Sequence, residues 1–168
     1  GGCDRVQLTL CQGGQVRVED NGRGIPVETH PDTGVSALET VMTILHAGAK
    51  FGGRSYRASS GLHGVGASVV NALSTWMKVE SKRGGIRYTQ EYLCGIPQGP
   101  VKPDGEADHT GSTVTFIPDV EIFGNLDYDF DFLAQHLREL AYLQPKLEIG
   151  IHDERTGQEL VFYFEGGI

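Results

Sequence analysis

Long apolar runs are missing from this 168-residue chain. Without about 20 consecutive apolar residues, none of its segments is expected to cross a membrane as a helix. Cysteine is scarce. Cys3, Cys11 and Cys94 are odd in number and scattered, which argues against a disulfide framework and fits reduced thiols in an intracellular, cytoplasmic setting. The six histidines are dispersed too; none pairs with a cysteine at metal-ligand spacing, so no metal site is expected among them. Positive charge is in deficit. Fourteen Lys and Arg against 22 Asp and Glu leave a net charge of −8, a poor balance for gripping a nucleic-acid backbone. Two phosphate-binding signatures are also absent. No Gly-Lys-Ser/Thr closes a P-loop, since Gly66 is followed by Ala67-Ser68. No G-x-G-x-x-G follows a strand, so a hydride-transferring enzyme is not expected.

Glycine, by contrast, is abundant, with 24 residues, so loops should be plentiful. Hydrophobic content of 39% and charged content of 21% describe an ordinary globule, and the length suits one domain over residues 1–168 with a real core. The stretch Ser59 to Ser74 concentrates the glycines: Gly61, Gly64 and Gly66 let the backbone turn tightly. The run after Gly66 (Ala67, Val69, Val70, Ala72, Leu73) reads as a buried helix. A glycine loop opening a helix can cradle phosphate through unpaired N–H groups, and a connection without a ligand is the alternative. A second constellation is Asp20-Asn21-Gly22-Arg23-Gly24-Ile25-Pro26, at the end of an alternating strand. One reading is a hairpin turn. The other is a fixed carboxylate with glycines leaving room for a flat ligand. A carboxylate only accepts hydrogen bonds, so it suits the exocyclic amine of adenine and rejects the carbonyl of guanine.

The remaining pattern is coarse but consistent. Val6–Leu10 and Gln15–Glu19 alternate around Gly13-Gly14 as a hairpin. Val35, Leu38, Val41, Met42 and Leu45 predict an amphipathic helix packed on the core, ending near Gly48. Residues 47 to 63 combine glycines with Lys50, Arg54 and Arg57, as a mobile basic loop would. Residues 76–81 and 86–92 predict a strand pair turned at Gly84-Gly85, residues 95–111 a surface loop, and 112–117 another strand. Phe130, Leu133, Leu137, Leu140 and Leu143 predict a second amphipathic helix stopped by Pro145, and 147–151 with 160–164 a last hairpin around Thr156-Gly157. Clustered strands with a few helices between them favour an α+β layer: a mixed, mostly antiparallel sheet against helices. Both ends read as cuts through a longer protein.

In this order and spacing, Asp20-x-Gly22-x-Gly24, the basic loop and Gly61-x-x-Gly64-x-Gly66 resemble the Bergerat-type ATP-binding fold. That fold is shared by type II DNA topoisomerases, mismatch-repair clamp proteins, large heat-shock chaperones and histidine kinases. The wording of Asp20 to Val27, His46 to Gly53 and Ser60 to Ser74, with Thr110-Gly111-Ser112 and Glu165-Gly166-Gly167-Ile168, is similar to the gyrase B family of bacterial DNA gyrases. The similarity covers essentially the whole chain. The B-type proteins of topoisomerase IV are the runner-up; a chaperone or mismatch-repair ATPase, or a domain without a ligand, stands further off.

The resemblance implies ATP as ligand, with Asp20 on the adenine amine and Ser112 replacing a family threonine beside it. Gly22, Gly24, Ile25 and Pro26 would line the adenine pocket, and Tyr56 would reach the adenine edge. Ala49, Lys50, Leu62, His63, Gly64, Val65 and Gly66 would surround the phosphates. Arg23 and Arg83 would stand at the rim, with a merely solvated arginine the alternative for Arg83. Two family glycines are replaced, by Ala49 and Ser60; if either position needs positive φ, the change costs about 1–2 kcal/mol. The family's general-base glutamate and its magnesium-binding asparagine belong to a helix before the position of Gly1, so no catalytic or metal residue is expected in this chain. Hydrolysis by the chain alone is therefore not expected. The resemblance further implies Mg2+ as a cofactor, gyrase A and double-stranded DNA as partners of the parent protein, and ATP-driven pairing of two gyrase B copies coupled to negative supercoiling.

Overall fold

A computed structural model describes residues 2–44 and 66–166. The elements run β1 (Arg5–Leu10), β2 (Val16–Asp20), α1 (Ala37–Thr43), α2 (Gly66–Ala72), β3 (Ser74–Arg83) and β4 (Ile86–Leu93). They continue with β5 (Ile96–Pro97), β6 (Lys102–Glu106), β7 (Gly111–Pro118), α3 (Val120–Phe123), α4 (Phe130–Leu143), β8 (Glu148–Asp153) and β9 (Glu159–Phe162). One sheet holds all these strands, in the order β5-β4-β3-β7-β2-β1-β8-β9 with β6 also on β4. Every pairing among them is antiparallel except β1 with β8, so the expected mixed, mostly antiparallel α+β layer is what forms.

The register explains why one face is covered. Side chains alternate along a strand, so directly paired residues share a face across the sheet. Leu10, Val16, Phe116, Met77 and Tyr92 make one cross-strand row, and Leu8, Val18, Val114, Val79 and Gln90 the next. Against these rows α1 packs Leu38, Val41 and Met42, together with Ala67 of α2. At the other end of the sheet, Phe130 and Ala134 of α4 pack against Leu10, Val16 and Ile151. Phe116 touches both clusters and makes them one core. The opposite face carries Arg17, Glu19, Lys78, Glu80 and Arg87, none of them buried.

Helix starts are set by short polar side chains. Ser36 Oγ accepts the Glu39 N–H at 3.1 Å, and Asp129 accepts the Phe132 N–H at 3.1 Å. In the first hairpin, Gly13 and Gly14 take φ of 74° and 80°, a region that favours glycine.

Three sequence expectations need correction. The stretch 95–111 contains β5 and β6, two edge strands that pair with β4. Helix α2 is buried through Ser68 and Asn71, whereas Val69 and Val70 are about two-fifths exposed, at 40% and 38%. In α4 the buried side runs through Phe130, Ala134 and Ala141, with Leu133 and Leu137 packed beside it, while Leu140 and Leu143 are exposed.

Candidate functional site

The row after Leu8, Val18, Val114 and Val79 is where the covered face turns polar. Val6 pairs with Asp20, Asp20 with Ser112, Ser112 with Ser81 and Ser81 with Tyr88. Strand alternation through Val16 and Val18 thus places Asp20 on the helix-covered face, at the end of the sheet. Its carboxylate is held on one side only. Oδ1 accepts the Gly22 N–H at 2.9 Å and the Ser112 N–H at 3.3 Å. Among the described residues Oδ2 accepts no hydrogen bond. Among these residues one oxygen is fixed and the other is left for a further donor.

After Asp20 the chain leaves the sheet, so the hairpin reading of Asp20-Asn21-Gly22 does not hold: the next regular element is α1. Asn21 Oδ1 accepts the N–H groups of Asp4 and Arg5, each at 3.0 Å, and anchors the exit. Residues 24–25 are then strapped across the strand ends. The Ile25 N–H donates to Ser112 Oγ at 3.0 Å, Ser81 Oγ donates to the Ile25 carbonyl at 2.6 Å, and Arg83 Nη1 donates to the Gly24 carbonyl at 2.9 Å. Gly24 has φ of 82°, and a Cβ there would lie 2.6 Å from the Lys82 carbonyl oxygen. At Gly22 a Cβ would come within 3.2 Å of Asp20 Oδ1. Gly111 is tighter still: with φ of 152°, its Cβ would overlap the Asp20 carbonyl oxygen. These glycines let backbone close in around the carboxylate.

The structure therefore brings Asp20, Gly22, Gly24, Ile25, Arg83 and Ser112 together. Pro26 is half-buried in the same segment and Arg23 is exposed. Arg83 is a strap on Gly24 instead of a freely solvated arginine. Gly66 opens α2, and the next residue, Ala67, packs on the apolar cluster that also receives Ile25 and Val27. The start of α2 and the segment after Asp20 thus share one apolar cluster. Ala49, Lys50, Tyr56, Leu62, His63, Gly64 and Val65 lie outside the described residues.

Three further residues support the site. Ser81, fully buried, fixes Ile25, yet a serine in a strand carries no signal of that role. Asn21 and Gly111 are more legible, since a glycine just before a strand and an Asn-Gly after one both mark unusual backbone. Among the described residues no group of three or more His, Cys, Asp or Glu gathers to hold a metal.

Chemically the described residues offer one carboxylate oxygen that none of them bonds, a serine hydroxyl whose oxygen is already an acceptor, and close-lying backbone. The residues fit the adenine ring: the acceptor matches its amine, and the glycines let the segment after Asp20 pack close enough to hold that acceptor in place.

The model of the histidine kinase-, DNA gyrase B- and HSP90-like ATPase family matches residues 1–122. The chain is 52% identical to the DNA gyrase B protein of Thermotoga maritima over its whole length, covering 26% of that protein. It is likewise 52% identical to the gyrase B protein of Treponema pallidum, covering 27%. It thus spans about a quarter of the length of these curated relatives. Among solved structures, the 43K ATPase domain of Thermus thermophilus gyrase B in complex with an aminocoumarin superposes with a TM-score of 0.84 at 40% identity. That match covers all of this chain and 42% of the other.

Proposed function

Because the chain belongs to the histidine kinase-, DNA gyrase B- and HSP90-like ATPase family, we propose that it forms the adenine-nucleotide pocket of a gyrase B-type, type II DNA topoisomerase. The observation that carries the reading is the half-satisfied Asp20 carboxylate, with Oδ1 spent on two backbone N–H groups and Oδ2 free among the described residues. Asp20 Oδ2 accepts the adenine amine. Ser112, whose oxygen already receives the Ile25 N–H, keeps its own proton for a neighbouring acceptor. Ile25 and Pro26 form the apolar floor, and Arg83 and Ser81 hold that floor in place. Lys50, His63 and the backbone of Leu62 to Gly66 are assigned to the phosphates, Ala49 to the same loop and Tyr56 to the adenine edge. When bound, ATP supplies the phosphoryl group whose hydrolysis drives the parent enzyme, with Mg2+ as its metal.

In that parent, two gyrase B copies pair on binding ATP and, with gyrase A, act on double-stranded DNA in the cytoplasm. Ordering of a segment on nucleotide binding, and its release on hydrolysis, is the general way such coupling works.

The test is Asp20→Asn in the intact protein. Asparagine keeps an acceptor for Gly22 and Ser112 but turns an N–H donor toward the adenine amine. Calorimetric titration should show ATP affinity at least about tenfold lower, because a hydrogen bond to a charged partner is worth roughly 1.5–3 kcal/mol. Unchanged affinity would remove Asp20 from the site.

A further inference from the structure

The strap at Ile25 divides the polar row. Asp20 stands on its β2 side, and on its β4 side Tyr88 helps to line a separate cleft of about 410 Å³. The cleft lies between the segment leading into α1 and the β4–β6 edge, and its size is in the range of small-molecule sites. Its walls are mainly apolar, from Val27, Val35, Tyr88, Pro100 and Val101. Among the described residues that line it, Glu39 is the one charged group, and no described Lys, Arg or His there balances it.

Glu39 is held in place. Its own N–H donates to Ser36 Oγ, and Oε1 accepts from Gln90 Nε2 at 2.7 Å. Gln90 is itself buried and fully engaged: the same Nε2 donates to the Gly99 carbonyl at 2.9 Å, and its Oε1 receives the Tyr92 hydroxyl. Oε2 of Glu39 accepts no hydrogen bond among the described residues. A positioned carboxylate with one free oxygen, facing apolar walls and an aromatic ring, is the complement of a small organic cation.

We propose that this cleft is a binding site for a compact aromatic or alkyl cation, an amidinium or ammonium, with Glu39 as its counter-ion. The body of the ligand packs between Val27, Val101 and the Tyr88 ring, and its N–H donors meet Glu39 Oε2. The proposal does not rest on the nucleotide reading, because Asp20 and the other described residues assigned to ATP do not line this cleft.

Benzamidine tests it, with neutral benzamide as its near-isosteric control, by ligand-observed NMR titration of the intact protein. Benzamidine should bind saturably and benzamide at least about tenfold more weakly, the factor expected of a charge-assisted hydrogen bond. Glu39→Gln keeps an acceptor for Gln90 and should weaken benzamidine by a similar factor. Val101→Trp, which fills the cleft, should abolish binding. Glu106→Gln, at an exposed carboxylate on β6, should change nothing. Equal binding of benzamide, or of benzamidine to a folded Glu39→Gln protein, overturns the proposal, and so does the absence of saturable binding. The benzamide comparison needs no variant and so stands even if a substitution unfolds the protein.

Discussion

At the scale of single residues, the site depends on which polar atoms are already used. Ser81 is fully buried and its hydroxyl serves the Ile25 carbonyl. Removing that donor leaves a carbonyl short of its partner, at a cost of about 1–3 kcal/mol. Ser81→Ala should lower the urea midpoint accordingly and weaken ATP binding several-fold through a loosened floor; unchanged stability and affinity would show that the strap does not depend on it. A second residue-scale effect lies at the far end of the sheet, where Asp153 is buried and Arg155 grips both of its oxygens at 2.9 Å. The Arg155 hydrogen bonds hold the Asp153 carboxyl below the ordinary carboxylate range despite its burial. Above about pH 4, the ordinary Asp value, both folded and unfolded chains are ionised and the pair contributes fully. As pH falls further, the unfolded chain takes up the proton first, and the contribution is lost through the folded value. Arg155 keeps Asp127 and the Tyr128 carbonyl as partners, so Asp153→Asn should cost about 1.5–3 kcal/mol near neutrality, the value of a hydrogen bond to a charged group, and should flatten the loss of stability below pH 4. Urea melts from pH 7 to pH 3 read both effects; parallel curves for the two proteins would contradict the assignment.

At the scale of elements, legibility follows burial. The β1–β2 and β3–β4 hairpins are readable because one face of each strand is core and their turns hold paired glycines. The strand ending Val16-x-Val18-x-Asp20 even places its carboxylate, since alternation carries Asp20 to the apolar face. Strands β5 and β6 are not readable: they sit at an edge, β6 is exposed along its length, and Lys-Pro-Asp-Gly-Glu has neither alternation nor β-branched residues. The last turns of α4 show the converse: the periodic stripe marks Leu140 and Leu143, whereas the side that the fold buries there carries Ala141. The parallel pairing of β1 with β8 is a tertiary event that no local pattern encodes. Helix α1 carries its start signal openly in Ser36-x-x-Glu39. Ser36→Ala should destabilise by about 1 kcal/mol, measured as a lower thermal midpoint. Since α1 supplies Leu38, Val41 and Met42 to the core behind the site, a neutral substitution there would mean that its start is set by packing alone.

At the scale of the whole molecule, a sheet covered on one face presents its polar row at one end, and the nucleotide reading depends on that arrangement. Rows of apolar side chains fix the strand register, the register places Asp20 beside Ser112, and glycines at 22, 24 and 111 let the backbone close around the carboxylate. What sequence could not supply is the division of labour between the two oxygens of Asp20, because it is made by N–H groups brought in from Gly22 and Ser112. The measurement that bears on this most directly compares ADP with inosine diphosphate, which differs at the purine ring by a carbonyl in place of the amine. In calorimetric titrations of the intact protein, ADP should bind at least about tenfold more tightly, the value of one hydrogen bond to a charged acceptor. Equal affinities would contradict the claim that the free oxygen of Asp20 selects adenine.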